Sequence, residues 1–210
     1  MSSKGKALLA KRFRGFYPVV IDIETAGFDP KKNPILEIAA ILLKMDDEGI
    51  LMPGDILHHH VAPFQGSKME AAALEFTGIQ PYNPFRLATA ECEVLESLFG
   101  EIQEQVKNHA CQRAVMVAHN AVFDQSFLQA AVKRCKVEKD PFHQFTTFDT
   151  AALSGLVFGQ TVLARAVKAA GIEYDKDSAH SAKYDAQITA ELFCHIVNKW
   201  KDMGGWHDAE

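Results

Sequence analysis

The amino-acid sequence predicts an α/β domain with a central mixed sheet flanked by helices. Short apolar, β-branched runs dominate the first third of the 210 residues, and helical patterns alternate with short strands afterwards. Hydrophobic residues make up 48% and charged residues 23%, close to the globular average, so the chain can bury a core. Neither a repeat nor a low-complexity linker divides the sequence. We therefore expect a single domain over residues 1–210.

The strands are predicted mainly in the N-terminal part of the chain. Residues 17–24 are apolar on both faces and rich in β-branched side chains, which is typical of a strand inside a sheet. A loop with Gly and Pro at 27–34 leads to a second apolar strand at 35–44. Turn residues then separate a third strand at 58–61. Ahead of these strands, residues 1–12 are basic, and we expect a flexible N-terminal tail there.

The remaining elements alternate between helices and strands. Asp149 and Ser181 are candidate N-caps for two of the helices. Helices are predicted near 68–76, 90–109, 120–134, 161–170 and 182–200, with a further helix beginning after Asp149, and strands at 113–118 and 145–148.

Charge and cysteine content exclude several classes of protein. The chain carries 22 basic and 27 acidic residues, a net charge of −5, so nucleic acid or an anionic membrane would need a local basic patch. No stretch approaches the roughly 18 apolar residues of a membrane span, and we expect a soluble, cytoplasmic protein with no membrane partner. The four cysteines are too few and too scattered for a disulfide scaffold, so we expect free thiols.

Two carboxylates stand out in the first strand. Asp22 and Glu24 are two residues apart, so their side chains share one face near the carboxyl end of the strand. Ligands bind at that edge of α/β sheets. Carboxylates at the border of a core are costly without a cation, although a solvated strand end or salt bridges would also account for them.

Two more carboxylates begin predicted helices. Asp124 falls in the first turn after the strand at 113–118, where the helix dipole alone also favours an acid. Asp185 falls in the first turn of the last helix, with His180 just outside it, although such a pair can be structural. Four carboxylate ligands suit two Mg²⁺ or Mn²⁺ ions and an in-line phosphoryl displacement. The histidine could accept the proton of the attacking water.

Three motifs in this order resemble those of the DEDDh 3′→5′ exonuclease superfamily. They are Asp22-Ile-Glu24, the segment from His119-Asn120 to Asp124, and His180 followed by Asp185. The resemblance implies a ribonuclease H-like exonuclease fold. It also implies two Mg²⁺ ions, with Mn²⁺ as a substitute, held by Asp22, Glu24, Asp124 and Asp185, and His180 as the general base.

Further segments resemble the bacterial branch of this superfamily that trims tRNA. These segments are 12–22, 25–28, 145–153 and 159–163, and the likeness runs from about 12 to 206. It implies a homodimeric 3′→5′ exoribonuclease that acts on single-stranded 3′ ends of tRNA and other stable RNAs. Nucleoside monophosphates would be released, and single-stranded DNA would be an additional substrate.

Four of the fourteen phenylalanines match residues that stack on substrate bases in that branch. They are Phe28, Phe76, Phe123 and Phe145. Stacking is worth about 1–3 kcal/mol per base, although core packing is the common role of phenylalanine. The branch also has a glutamate near Phe76, where this chain has Ala72, so the preference for the terminal base is open.

Four basic residues match a nucleic-acid-binding patch of the same branch. They are Arg12, Arg14, Lys107 and Arg113. In the family this patch faces the active site of the partner subunit, although ordinary surface charge would also explain these residues. Phosphate contacts would make binding fall steeply with salt.

Three other functions fit the sequence less well. A DNA-directed proofreading exonuclease would use the same chemistry on another substrate. A hydrolase of small phosphoesters would use the same carboxylates but would not need the phenylalanines. A non-catalytic binding module would lack at least one residue of the three motifs.

His58 and His60 share one face of a strand, opposite His59. With no acid or thiol at ligand spacing in the sequence, we expect a structural or surface role for them.

Overall fold

A six-stranded mixed sheet lies at the centre of the computed structural model, which describes residues 1–179 and 181–205. Its strands are β1 (Phe16–Thr25), β2 (Ile35–Leu42), β5 (Ile56–Ala62), β6 (Thr89–Ala90), β7 (Arg113–Ala118) and β8 (Phe142–Asp149). The spatial order is β6-β5-β2-β1-β7-β8. The short strands β3 (Lys44–Met45) and β4 (Leu51–Met52) pair separately. The predicted α/β class with a mixed sheet is confirmed.

The central position of β1 determines where the carboxylates lie. It pairs antiparallel with β2 on one side and parallel with β7 on the other. Every residue of β2 is buried, and β1 is buried except at Phe16 and at its two carboxylates. The apolar side chains of these two strands therefore form the middle of the core.

Seven α-helices and one short 3₁₀ helix surround the sheet in the described part of the chain. They are α1 (Ser3–Arg12), α2 (Ala71–Thr77), the 3₁₀ helix (Pro84–Arg86), α3 (Glu91–Asn108), α4 (Val122–Cys135), α5 (Thr150–Phe158), α6 (Leu163–Ala169) and α7 (Ala182–Asp202). Helix α7 packs against β1 and β2, and α3 packs against β1, β5 and β7. Within the described residues, no single helix is long and apolar enough to cross a membrane. The bent pair α5 and α6 together meets the same criteria of length and composition.

The N-terminal segment is a helix rather than the expected flexible tail. Ser2 caps α1 by accepting a hydrogen bond from the amide of Gly5 at 3.0 Å. Leu9 is fully buried. Gly5 packs so closely on Met45 that an added Cβ would lie 2.2 Å from the Met45 carbonyl oxygen. These tertiary contacts order a segment whose charge alone suggested a tail, so that expectation is wrong for Ser3–Arg12.

The expectation of four free thiols is also wrong. Cys92 and Cys135 form a disulfide with their Cα atoms 5.2 Å apart, and Cys111 and Cys194 are free. The bridge joins the first turn of α3 to the last residue of α4. Packing of these two helices brings together residues 43 positions apart, which spacing in the sequence does not reveal.

Candidate active site

Three carboxylates meet where β1 approaches the N-terminus of α7. Asp22 and Glu24 point to the same face of β1 because alternate strand residues do. Asp185 lies in the first turn of α7, which packs on that face. Ligand oxygens of Asp22, Glu24 and Asp185 all lie within 4.8 Å of one another. The fold thus brings together three of the four predicted carboxylates, and we call them the acid cluster.

The fourth carboxylate, Asp124, lies beside the acid cluster. The parallel pairing of β1 with β7 places α4 next to the end of β1, and Asp124 is in the first turn of that helix. It is only 4% exposed, and it accepts hydrogen bonds from its own backbone N–H and from that of Ile23. Its charge also acts on Asp22. All the described carboxylates predicted for the site are therefore neighbours.

A further carboxylate, Glu37, lies on the same face and was not singled out in the sequence. Glu37 of β2 pairs directly with Glu24 of β1, and it is buried. It stands within the run Ile35–Leu42, whose other members are all apolar, so the sequence predicted only a buried strand there. An acid inside such a run is the signal that could have found it.

Burial and mutual repulsion raise the pKa values of the site carboxyls. For Asp22, burial is the largest cause, followed by the charges of Asp124 and Glu24. Burial and the charge of Asp185 raise the pKa of Glu24 to about 8. Within the described residues, no lysine or arginine forms a salt bridge with Asp22, Glu24 or Asp124. Clustered carboxylate oxygens fit a divalent cation.

The raised pKa values predict how the metal-free protein responds to pH. Between the ordinary pKa of glutamate, 4.5, and the folded value of about 8, the folded protein binds more protons at Glu24 than the unfolded chain does. The free energy of unfolding therefore falls as pH rises through this window. Urea titrations in chelator at several pH values measure the fall, which Mg²⁺ should largely remove. A metal-free protein whose stability rises with pH across this window would contradict the argument.

Asp149 positions the turn that carries Asp124. As predicted, it caps α5, accepting a hydrogen bond from the Ala151 amide at 2.9 Å. Its carboxylate also accepts bonds from the amides of Asn120 and Ala121 at 3.1 and 3.2 Å. Asn120 has a φ of 64°, so this turn between β7 and α4 needs such support.

Removing the Asp149 carboxylate should loosen that turn. Because Asp149→Ala leaves three backbone N–H groups without their acceptor, we expect a loss of about 1–3 kcal/mol in the free energy of unfolding. We also expect kcat to fall while the variant is still folded, since Asp124 follows the turn. Urea unfolding and single-turnover rates measure both effects. Asp140→Ala is the matched control. The Asp140 side chain accepts one backbone hydrogen bond, from Phe142, at the opposite end of β8 from Asp149. Equal losses of stability and kcat in both variants would contradict a positioning role for Asp149.

The predicted phenylalanines are largely on the surface. Phe28, Phe76 and Phe145 are 79%, 64% and 83% exposed. Phe123 is partly buried, with its ring 6.2 Å from that of Phe28 and 4.9 Å from that of Phe127. Core packing therefore does not account for the exposed rings of Phe28, Phe76 and Phe145.

The loop that carries Phe28 is held by polar contacts. The Asn33 side chain accepts a hydrogen bond from the Asp29 amide at 2.7 Å and donates to the Lys68 carbonyl at 2.9 Å. An added Cβ at Gly27 would lie 2.5 Å from a Glu70 carboxylate oxygen. Glu70 thus lies next to the Phe28 loop, on the same segment as Ala72. This proximity is a tertiary contact, which spacing in the sequence does not reveal.

The four predicted basic residues lie away from the acid cluster. Arg14 directly precedes β1, and Arg113 pairs with Phe16 at the start of the same strand. Asp22 follows six residues later, roughly 20 Å along the strand. Arg12 ends α1, and Lys107 lies in the last turn of α3. Arg113 donates a hydrogen bond to the Phe142 carbonyl at 3.1 Å, which gives it a structural contact as well. Arg14 and Arg113 therefore lie at the opposite end of β1 from the acid cluster.

The last predicted site residue, His180, lies outside the described residues. His119, the histidine of the second motif, is part of the framework, with its ring nitrogens 2.9 Å from the Thr150 hydroxyl and 2.8 Å from the Thr161 carbonyl. Burial lowers the pKa of His119. It therefore links the end of β7 to α5 and the loop before α6.

Comparison with protein families and curated sequences gives a consistent result. The exonuclease family model RNase_T matches residues 19–193. Ribonuclease T of Photorhabdus laumondii is 56% identical over 203 residues, covering 97% of this chain and 94% of that protein. Ribonuclease T of Salmonella typhimurium is 58% identical over 198 residues, which cover 94% of this chain and 92% of that protein. Ribonuclease T of Vibrio parahaemolyticus is 55% identical over 208 residues, which cover 98% of this chain and 97% of that protein.

Solved structures share the fold at low sequence identity. Escherichia coli exonuclease I in complex with a dT13 oligonucleotide has a TM-score of 0.68 at 18% identity, over 90% of this chain and 42% of that one. The nuclease domain of 3′hExo, a DEDDh family member bound to rAMP, has a TM-score of 0.62 at 16% identity, over 90% and 92%. These likenesses confirm the ribonuclease H-like exonuclease fold expected from the sequence.

Proposed function

We propose that this chain, which belongs to the ribonuclease T exonuclease family and is a 3′–5′ exoribonuclease, trims single-stranded 3′ ends of tRNA and other stable RNAs. Hydrolysis depends on a divalent metal, and its substrate is nucleic acid. The observation that carries the proposal is the acid cluster near the end of β1, with the exposed ring of Phe28 in the loop that follows. Cations would meet the carboxylates there, and a 3′ end would meet that ring.

The proposed metal ligands are the acid cluster together with Asp124. The close approach of Asp22, Glu24 and Asp185 and the raised pKa values of Asp22 and Glu24 support a positively charged occupant. We assign two Mg²⁺ ions to these residues, with Mn²⁺ as a substitute. When bound, two such ions polarise the scissile phosphate and stabilise charge on the attacking and leaving oxygens.

The proposed reaction is an in-line hydrolysis with His180 as general base. His180 accepts one proton from water as the water oxygen forms a bond to the terminal phosphorus. The bond from that phosphorus to the preceding 3′ oxygen breaks, and this oxygen takes a proton from solvent. Each cycle releases one nucleoside monophosphate and leaves an RNA with a new 3′ hydroxyl.

The proposed base-binding residues are Phe28, Phe76, Phe123 and Phe145. Phe28 and Phe123 already lie edge to face, and their rings would receive the terminal base. Phe76 and Phe145 would hold neighbouring bases, because base stacking tolerates any sequence. The same contacts would admit single-stranded DNA. In the segment where Ala72 replaces the family glutamate, Glu70 is the carboxylate that lies beside the Phe28 loop.

The basic residues support a homodimer. Because they lie at the other end of β1 from the acid cluster, Arg12, Arg14, Lys107 and Arg113 would bind RNA that enters the active site of a partner subunit. In this proposal residues 1–210 form one exonuclease domain. A cytoplasmic location follows from the proposed tRNA substrates.

Subunit mixing tests the dimer. A chain with Asp22→Asn keeps the basic patch, and a chain with Arg14→Glu and Lys107→Glu keeps the acid cluster. We expect each to be weakly active alone, the second because of poor RNA binding with a reduced salt slope. Mixed subunits should recover about a quarter of wild-type activity, since half of random dimers are mixed and each holds one complete site. If subunit exchange is confirmed and activity does not recover, the proposal of an active site shared between subunits is contradicted.

The reaction itself is tested on a 5′-labelled single-stranded RNA with a short duplex upstream. We expect a ladder that shortens from the 3′ end in Mg²⁺, stalls near the duplex and disappears in chelator. A matched DNA strand gives the ratio of the two substrates. RNA that stays bound but intact in both Mg²⁺ and Mn²⁺ would contradict the proposal.

A further inference from the structure

A second group of ligand atoms lies beside the acid cluster on the same face of the sheet. It consists of Glu37 from β2 and His58 and His60 from β5, and we call it the histidine cluster. In the register of these strands, His60 pairs with Glu37, which in turn pairs with Glu24. His59 alternates to the other face, where the charge of Glu101 in α3 acts on it.

The atoms of the histidine cluster converge on one carboxylate oxygen. The distance from His60 Nδ1 to Glu37 Oε1 is 2.9 Å, and that from His58 Nε2 to the same oxygen is 3.8 Å. The other oxygen, Oε2, accepts a hydrogen bond from the Ala182 amide at 3.2 Å. That bond orients the carboxylate so that Oε1 points to both rings.

Both ring nitrogens are buried, and the polar atom they face among the described residues is Glu37 Oε1. Among the described residues, neither His58 Nε2 nor His60 Nδ1 makes a hydrogen bond of acceptable geometry. Arg86 does not fill the space, because its guanidinium donates to the carbonyl oxygens of Leu36 and Pro81. Two buried ring nitrogens that converge on one carboxylate oxygen, with all three ligand atoms within 4.8 Å of one another, form a group that one metal ion could bridge.

The chemistry of these donors differs from that of the acid cluster. Two imidazoles and one carboxylate suit zinc and other late first-row metals, whereas an all-carboxylate group suits Mg²⁺. Tetrahedral ligands about 2.1 Å from zinc lie roughly 3.4 Å from one another. The distances of 2.9 and 3.8 Å to Glu37 Oε1 bracket that value, so small side-chain shifts would complete the geometry.

We propose that Glu37, His58 and His60 bind a transition-metal ion, with Zn²⁺ as the preferred ion, at a site distinct from the catalytic carboxylates. Water would supply the fourth ligand. The ion would join β2 to β5, and through the Ala182 amide it would fix the N-terminus of the helix that carries Asp185. The binding claim does not depend on the reaction assigned to the acid cluster.

Cobalt absorption distinguishes the two sites. Four-coordinate Co²⁺ absorbs strongly in the visible range, whereas six-coordinate Co²⁺ on oxygen ligands absorbs weakly. We expect the metal-stripped full-length protein, titrated with Co²⁺ in excess Mg²⁺, to develop strong visible bands at one equivalent. Added Zn²⁺ should then bleach them. Weak absorption throughout the titration would overturn the proposal.

Variants assign the bands to residues. The double variant His58→Ala, His60→Ala should lose them, and His59→Ala, on the opposite face, should keep them. Asp22→Asn should also keep them, because it alters only the acid cluster. Glu37→Gln is the conservative test if the double variant fails to fold, and it should weaken Co²⁺ binding at least tenfold. Bands that survive in both Glu37→Gln and the double variant, or that vanish in Asp22→Asn, would refute the site. RNA degradation in Mg²⁺ reports separately on the catalytic proposal.

Discussion

Replacement of Asp22 by asparagine should abolish most RNA degradation and make the metal-free protein more stable. Asp22 belongs to the acid cluster, and burial, followed by the charges of Asp124 and Glu24, raises its pKa well above the ordinary value. Removing a proposed ligand removes metal stabilisation of the transition state, which is worth several kcal/mol. At 1.36 kcal/mol per tenfold, we expect kcat to fall at least about 10³-fold.

The gain in stability has the same origin as the loss in activity. An amide in place of the carboxylate removes a buried like charge, so thermal unfolding in chelator should shift to higher temperature. The wild type should also be stabilised by Mg²⁺ more than the variant is. Glu48→Gln, an exposed acid away from the site, is the control and should change neither quantity. Asp22→Asn with near-normal turnover, or with lower metal-free stability, would contradict the account.

Replacement of His180 by alanine should stop turnover without removing the metal ions. General-base catalysis typically contributes about 10²–10⁴-fold, so we expect kcat to fall within that range. Mn²⁺ affinity should change little, because none of the proposed ligands is altered. This separates His180→Ala from Asp22→Asn, which should lose both properties.

The pH profile tests whether His180 acts as the base. Wild-type kcat should fall at acidic pH, because protonated imidazole cannot accept a proton. The residual activity of His180→Ala should lack this acidic limb. His59→Ala, a histidine facing α3, should keep the wild-type profile. Full activity in His180→Ala would exclude the proposed role.

The parts of the site that follow local periodicity could be predicted from the sequence. Alternation along a strand placed Asp22 and Glu24 on one face, and helix starts placed Asp124 and Asp185 in first turns. The structure then needed only the β1–β7 pairing and the packing of α7 to make them neighbours. The class of fold followed for the same reason, because apolar runs identified the central strands.

The parts that depend on tertiary contacts could not be predicted in this way. Glu37 lies within an apolar run that predicted only a buried strand. The register between β2 and β5 is what shows that His58 and His60 face it. The Cys92–Cys135 bridge depends on how α3 meets α4. Helix α1 forms because Leu9 is buried and Gly5 packs on Met45, neither of which charge patterning reveals.

The central claim is that four carboxylates from three elements hold two divalent cations. Anomalous diffraction from crystals grown with Mn²⁺ and a nucleoside monophosphate tests it most directly. The account predicts two anomalous peaks about 3.5–4 Å apart, with Asp22, Glu24, Asp124 and Asp185 as the protein ligands. A single peak held by other residues, or no peak at the acid cluster at saturating Mn²⁺, would contradict it.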